Sequence, residues 1–145
     1  MRLLFLLIPF IPKGPLRYEI KAKEDSALMR LFGFLLKPLL GPHFMWDYWT
    51  TFGETIYYPG SVEDPRQHPL TIEHEVEHIR QLRFWGILFW ILYLLALPVG
   101  FNPFRFYWEV KAYRVGKTKR ETILRHLSGP AYGYTMPKFL ARLFL

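Results

Sequence analysis

The order of apolar and polar positions along the chain predicts an α+β fold. Alternation with a period of two marks strands, whereas apolar residues at intervals of three and four mark helices. The expected elements are a strand over 17–23, a helix over 27–37, a β-hairpin over 48–58, a helix from Pro69 or Thr71, and helices over 84–97, over 103–115, after Thr118 and from Pro137. We expect them to form a single domain over residues 1–145, with a small antiparallel sheet packed on helices.

Capping and turn residues support several of these boundaries. Ser26 is a suitable N-cap for the first helix, and Pro38 is expected to end it. Gly53 begins a two-residue turn of the kind that favours a tight hairpin. Thr118 and Glu121 have the spacing of a capping box, which predicts the start of a short helix.

Two apolar runs raise the question of membrane contact. Prolines interrupt the first, over 3–11, and no small-residue cleavage site follows it, so we expect a buried strand or an interfacial segment and not a signal peptide. The second runs without charge over 84–104, but prolines and a glycine break its second half. Its helical part of about 14 residues would span about 21 Å, less than the ~30 Å of a bilayer core. We therefore expect 84–101 to form a buried hairpin helix or to contact a membrane or a large hydrophobic partner.

The amino-acid composition limits the kinds of functional site that the chain can form. The chain has no cysteine, which excludes disulfide scaffolds, thiolate zinc sites, iron–sulfur clusters and cysteine nucleophiles. Any metal must therefore be held by nitrogen and oxygen. The net charge of +7 lies wholly in residues 101–145, which contain nine basic and two acidic residues. Such an excess of positive charge is typical of surfaces that bind phosphate, anionic lipid or an acidic partner, and also of surfaces that are simply solvated. No nucleic-acid-binding motif accompanies it.

The residues that indicate a reaction form an HExxH motif, His74-Glu75-Val76-Glu77-His78. On a helix, the two histidines lie one turn apart on the same face and can reach one cation, with Glu75 beside them to polarise a bound water. Aliphatic residues occupy the opposite side, so this helix is expected to pack down through them and to present its histidines to a cleft. The alternative is a solvated helix face that matches the motif by chance.

A third ligand is expected from a following helix. Glu109 lies 31 residues after His78, and two histidines with one carboxylate make a three-ligand site that leaves a position open for water, as in catalytic zinc sites. Two alternatives stay open: Glu109 can be a surface residue paired with Arg105, or His126 can replace it as the third ligand. Gln81, one turn after His78, orients a ligand or is simply a surface residue.

HExxH followed by E-x-x-A resembles the gluzincin branch of the zincin metallopeptidases, whose third ligand is a glutamate on a later helix. Tyr113 stands where membrane-linked relatives carry Asp. The chain is also similar to a small, poorly characterised family of bacterial and phage zincin-like proteins that combine HExxHxxQ, a hydrophobic stretch, W-E-x-x-A-Y and G-P-x-Y-G. Here these parts occupy 74–81, 84–97, 108–113 and 129–133.

The resemblance implies a minimal zincin-like domain that binds Zn²⁺ through His74, His78 and Glu109 and hydrolyses a peptide or protein substrate. Glu75 would then be the general base that takes a proton from the metal-activated water. Tyr132 would donate a hydrogen bond to the oxyanion, with Tyr134 and His126 as alternatives.

Two functions from other classes remain open. One is a structural or assembly protein, such as a phage particle component, that keeps the fold without turnover and buries its apolar runs in a larger particle. The other is a membrane-surface protein whose basic last third contacts anionic lipid. The compartment accordingly stays open between cytoplasm, membrane surface and virion.

Overall fold

A computed structural model describes residues 15–94, 102–129 and 136–145. These residues form a small mixed sheet and seven α-helices, which confirms the α+β class. The elements are strands β1 (Glu19–Ala22), β2 (Thr50–Phe52) and β3 (Thr55–Tyr58), and helices α1 (Ala27–Leu40), α2 (His43–Trp46), α3 (Pro69–Trp85), α4 (Ile87–Leu94), α5 (Pro103–Val115), α6 (Arg120–Leu127) and α7 (Lys138–Phe144). Within the described ranges, no helix combines the length and the apolar character that crossing a membrane requires.

The sheet has the strand order β1-β3-β2, so β2 lies at one edge. The predicted hairpin is confirmed: β2 and β3 pair antiparallel, and Gly53 has a φ of +63° in the turn between them. The sheet is mixed and not antiparallel throughout, because β1 adds to the hairpin by pairing in parallel with β3. The chain between β1 and β3 contains α1, α2 and β2, and this long connection allows the parallel pairing.

The sheet packs on the aliphatic side of α3. Ile56 of β3 is fully buried against Val76 and Ile79 of α3, with Ile20 and Ile72 beside them. The predicted packing face of this helix is therefore confirmed. A second core cluster joins α5, α6 and α7. Because α3 also packs along α5, the histidine-bearing side of α3 faces α5 rather than solvent.

Glycine and proline change two of the predicted helix boundaries. The helix that Ser26 caps continues past Pro38 to Leu40, because a proline in the last turn removes a single backbone hydrogen bond. The single helix expected to start at Phe84 is wrong. Gly86, with a φ of +56°, ends α3 at Trp85, and α4 follows as a separate helix.

Other expectations are corrected or fall outside the described residues. The capping box is wrong, because α6 begins at Arg120, after an N-cap, Lys119, that makes no side-chain capping bond. The short helix α2 was not predicted from the sequence. The apolar run over 3–11 and the end of the 84–101 segment lie outside the described residues.

Candidate metal centre

Helices α3 and α5 bring the three predicted ligands together. His74 and His78 lie one turn apart on α3, with their Nε2 atoms 3.2 Å from each other. Glu109 of α5 places Oε2 at 3.5 Å from each of these nitrogens. All three side chains are buried, and Glu109 is only 1% exposed. Among the described residues, these three form the one group suited to hold a metal ion.

The spacing of the three atoms fits a small divalent cation. Nitrogen and oxygen ligands that bind zinc tetrahedrally at ~2.0–2.1 Å lie roughly 3.3–3.4 Å from one another. The observed distances, 3.2 Å between the nitrogens and 3.5 Å from each to the oxygen, bracket that value. In addition, Oε2 of Glu109 is buried without a hydrogen-bond partner. A buried carboxylate oxygen without such a donor is costly unless a cation interacts with it.

The electrostatics of the cluster also favour a cation. Burial alone would raise the pKa of Glu109, but the imidazoles of His78 and His74 hold it well below its usual range. Burial alone would lower the pKa of His78, but Glu109, with smaller effects of Glu75 and Gln81, raises it to about 9. The buried carboxylate therefore requires one positive charge beside it, which a proton on an imidazole or a metal ion can supply.

Gln81 determines which nitrogen of His78 faces the cluster. Its Nε2 donates a hydrogen bond to the carbonyl of Trp108, so its Oε1 must face His78. Nδ1 of His78 lies 2.9 Å from this oxygen and has to be the donor. The proton on Nδ1 leaves the lone pair of a neutral His78 on Nε2, toward His74 and Glu109. Of the two readings of Gln81, the orienting one is the one that its buried position supports.

Tyr93 of α4 holds the carboxylate of Glu109, the third predicted ligand. Its hydroxyl donates a hydrogen bond to Oε1 of Glu109, which leaves Oε2 to face the histidines. Burial, together with the charge of Glu109, raises the pKa of Tyr93 well above its usual range, so the phenol stays protonated. The guanidinium of Arg105 lies 4.8 Å from its ring centre. Tyr93 was not predicted from the sequence. The one feature that could have pointed to it is its polar hydroxyl within the otherwise apolar, uncharged run over 84–104.

Glu75 lies beside the cluster and contacts the sheet. Thr51 of β2 donates a hydrogen bond to Oε2 of Glu75 at 2.6 Å, which fixes one carboxylate oxygen. Because β2 is an edge strand, this contact places the candidate general base next to a sheet edge. The sequence predicted the strand but not this contact.

A buried lysine lies within electrostatic range of Glu75. Lys23 is 1% exposed, donates a hydrogen bond to the carbonyl of Phe44 and lies 3.8 Å from the centre of its ring. Burial lowers the pKa of Lys23 to about 7, against the opposing effect of Glu75. Sequence reasoning did not single it out, because lysines are seldom fully buried.

Of the candidates for a third ligand, Glu109 is the one that the structure brings to the two histidines. A surface pair of Glu109 with Arg105 is excluded by the burial of the carboxylate. His126 of α6 lies outside the cluster, with Nδ1 at 3.1 Å from the hydroxyl of Tyr113. Tyr113 packs its ring on the edge of His74, at 4.4 Å between ring centres. It thus supports His74 by packing.

Of the three predicted oxyanion donors, His126 is the one that lies within the described residues. Tyr132 and Tyr134 lie outside the described residues. His126, the third candidate, is separated from the ligand cluster by Tyr113.

Comparisons of the chain with protein-family models, with curated proteins and with solved structures found no significant match.

Proposed function

We propose that this protein is a zinc-dependent metallohydrolase of minimal zincin-like, gluzincin type that cleaves peptide bonds. The observation that carries the proposal is the buried triangle of His74, His78 and Glu109, whose spacing suits one small cation. Glu75 follows His74 on the same helix and is close enough to raise the pKa of His78. Three protein ligands leave a fourth position for water, which distinguishes catalytic from structural zinc sites.

Each residue has a distinct role in this proposal. The two histidines and Glu109 would hold the ion, which lowers the pKa of a bound water toward ~7 and polarises a carbonyl. Glu75 accepts the proton of the attacking water and returns it to the leaving amine. Its Oε2 is held by Thr51, so Oε1 is the oxygen left for this proton transfer. Tyr132 remains our candidate for the oxyanion donor.

The neighbouring sheet edge supports a peptide as substrate. Thr51, which contacts Glu75, belongs to β2, and among the described residues β2 pairs with β3 alone. An edge strand offers free backbone donors and acceptors that an extended peptide can pair with. A substrate bound there would have its backbone beside the general base.

The replacement of Glu75 by Gln tests the mechanism. Glu75→Gln keeps the size of the side chain but removes the base, so we expect cleavage of a peptide library, followed by mass spectrometry, to fall by at least about a hundredfold. The zinc content should not change, because Glu75 is not one of the three ligands. Glu73→Gln, an exposed carboxylate on the same helix, is the matched control and should cleave like the parent chain.

Two results would contradict the proposal in different ways. Cleavage that survives Glu75→Gln would show that another residue is the base. A parent chain that retains zinc but cleaves no peptide would favour the second function class, a structural or assembly protein that keeps the metal without turnover.

A further inference from the structure

The outer face of α1 is apolar and exposed. At 100° per residue, Leu31, Phe34, Leu35 and Leu39 lie on one side of this helix. Phe34 is 74% exposed and Leu39 is 70% exposed. Met29, on the opposite side, is fully buried. The helix is therefore already anchored through its inner face, and its apolar outer face lacks a cover among the described residues.

Two cations lie along one border of this apolar face. They are Arg30, whose guanidinium donates a hydrogen bond to the carbonyl of Glu24, and Lys37. α1 itself contains no carboxylate, and the nearest ones in the sequence, Glu24 and Asp25, precede its N-cap. Leu and Phe on one face with Lys and Arg beside it are typical of helices that lie in the interface of a bilayer. The apolar side chains then enter the acyl region, while the cations stay among the headgroups.

Ring contacts extend this surface to the hairpin and to α4. Phe52 of β2 lies 5.8 Å from Phe32 of α1 and 5.3 Å from Trp90 of α4, between ring centres. Phe52 is itself 40% exposed. Ile87 and Ile91 of α4 are 74% and 51% exposed, and α4 carries no charged residue.

We propose that the outer faces of α1 and α4, joined through Phe52, form a docking surface for a bilayer that contains anionic lipid. Exposed apolar patches of this kind mark contacts with an apolar partner. The charges of α1 are only positive, which complements anionic headgroups. This inference does not depend on the metal centre, because none of the residues that carry it belongs to the ligand cluster.

A bilayer fits these residues better than a second copy of the chain. In a two-fold symmetric dimer each copy uses the same patch, so Arg30 and Lys37 of both copies would share one interface. Neither α1 nor α4 supplies a carboxylate to pair with them. A layer of anionic headgroups instead supplies a negative partner for each cation.

Vesicle flotation of the full chain tests the docking surface. We expect the parent chain to float with vesicles of phosphatidylcholine and phosphatidylglycerol. Phe34→Glu combined with Leu39→Glu should lower the partition at least about tenfold, because it places carboxylates among anionic lipid. Phe139→Glu with Leu143→Glu makes the same change on α7, the rival face, where exposed apolar residues also lie beside Lys138 and Arg142. This pair should lower the partition less than the α1 pair, because α7 has seven residues and α1 has fourteen.

A second pair of variants tests the cations without changing the apolar stripe. Arg30→Gln with Lys37→Gln should lose about fivefold in partition per cation on the anionic vesicles and little on pure phosphatidylcholine. This pair keeps the test decisive if the acidic pair does not fold. Circular dichroism of each variant shows whether it is folded.

Four outcomes would overturn the proposal. The first is a parent chain that does not float, and the second is an equal loss of flotation in the acidic variants of α1 and α7. The third is a dimer in size-exclusion chromatography that Phe34→Glu with Leu39→Glu dissociates, without vesicle binding by the parent. The fourth is vesicle binding that appears only after deletion of residues 1–14, which would make this segment the occupant of the surface.

Discussion

The contact between α3 and α5 and the docking surface distribute polarity in opposite ways. The α3–α5 contact buries ionisable and polar side chains, namely His74, Glu77, His78, Gln81 and Glu109. The docking surface instead exposes leucine, isoleucine and phenylalanine to solvent. Buried charge and exposed apolar area both lower stability unless something compensates for them. Each region therefore indicates a binding partner. The α3–α5 contact indicates a cation, and the docking surface indicates an apolar surface.

Helix α4 takes part in both regions. Its inner side carries Tyr93, which holds Glu109, and Phe89, whose ring lies 4.7 Å from that of Trp108. Its outer side carries Ile87 and Ile91. An eight-residue helix therefore separates the buried polar cluster from the exposed apolar surface, and substitutions on its two sides should have different effects.

The largest difference is expected between Phe89→Ala and Ile87→Ala. Phe89 is 4% exposed, so its truncation leaves a cavity and should lower the free energy of unfolding by about 3–5 kcal/mol. Ile87 is 74% exposed, and its truncation should change this free energy by less than about 0.5 kcal/mol. Urea denaturation without lipid measures both. Equal losses in the free energy of unfolding would show that the outer side of α4 is packed like its inner side, so the two sides would not differ.

Removal of the third ligand tests the polar side of the comparison. Glu109→Ala should weaken zinc binding by more than about a hundredfold, beyond the usual effect of residues that only support a ligand. Competition with a chromophoric chelator measures this affinity. Glu121→Ala, at an exposed carboxylate of α6, is the control. Parent-like zinc affinity in Glu109→Ala would mean that the carboxylate is not a ligand.

The two supporting residues should have smaller effects. Gln81→Leu and Tyr93→Phe each remove one hydrogen bond to a ligand, and each should lower zinc affinity by about 10- to 100-fold. Tyr107→Phe changes a phenol that is 62% exposed on α5 and should leave the affinity unchanged. If Tyr93→Phe behaves like Tyr107→Phe, the bond to Glu109 does not position the carboxylate.

The lowered pKa of Lys23 predicts that the stability of the fold depends on pH. Its pKa is about 7 in the folded chain and 10.5 as a free side chain, so between these values the unfolded chain binds the additional proton. Its contribution to stability is thus fully present above pH 10.5 and is lost as the pH falls to about 7, with a slope of at most about 1.4 kcal/mol per pH unit. Lys23→Met should remove this dependence.

Denaturation of the parent chain and of Lys23→Met across pH 6–11 measures the difference between the two stabilities. A difference that does not change with pH would mean that Lys23 keeps its ordinary pKa in the fold. Lys21→Met, at the exposed lysine two residues earlier, is the matched control.

Much of the site could be predicted because its signals are local. The HExxH spacing places two imidazoles on one helix face, and the aliphatic residues on the opposite face, Ile72, Val76 and Ile79, determine which side packs on the sheet. Glu109 could be proposed from its place in a later helix. The contacts that support the ligands could not, since Tyr93 and Thr51 reach their partners only through the packing of separate elements.

The missed features of the fold have similar causes. Gly86 divides an apolar run that reads as one helix, because hydrophobic periodicity does not report the φ angle of one residue. The parallel pairing of β1 depends on where the chain returns after α2, which no local pattern specifies. The burial of Lys23 contradicts the usual preference of lysine for the surface.

Metal analysis of the purified full chain tests the claim of a cation at the α3–α5 contact most directly. After dialysis against a weak chelator, the parent chain should retain one zinc ion per molecule. His74→Ala should retain none, whereas His68→Ala, at an exposed histidine outside the cluster, should match the parent. Failure of the parent to retain zinc, or equal retention by His74→Ala and His68→Ala, would contradict the claim.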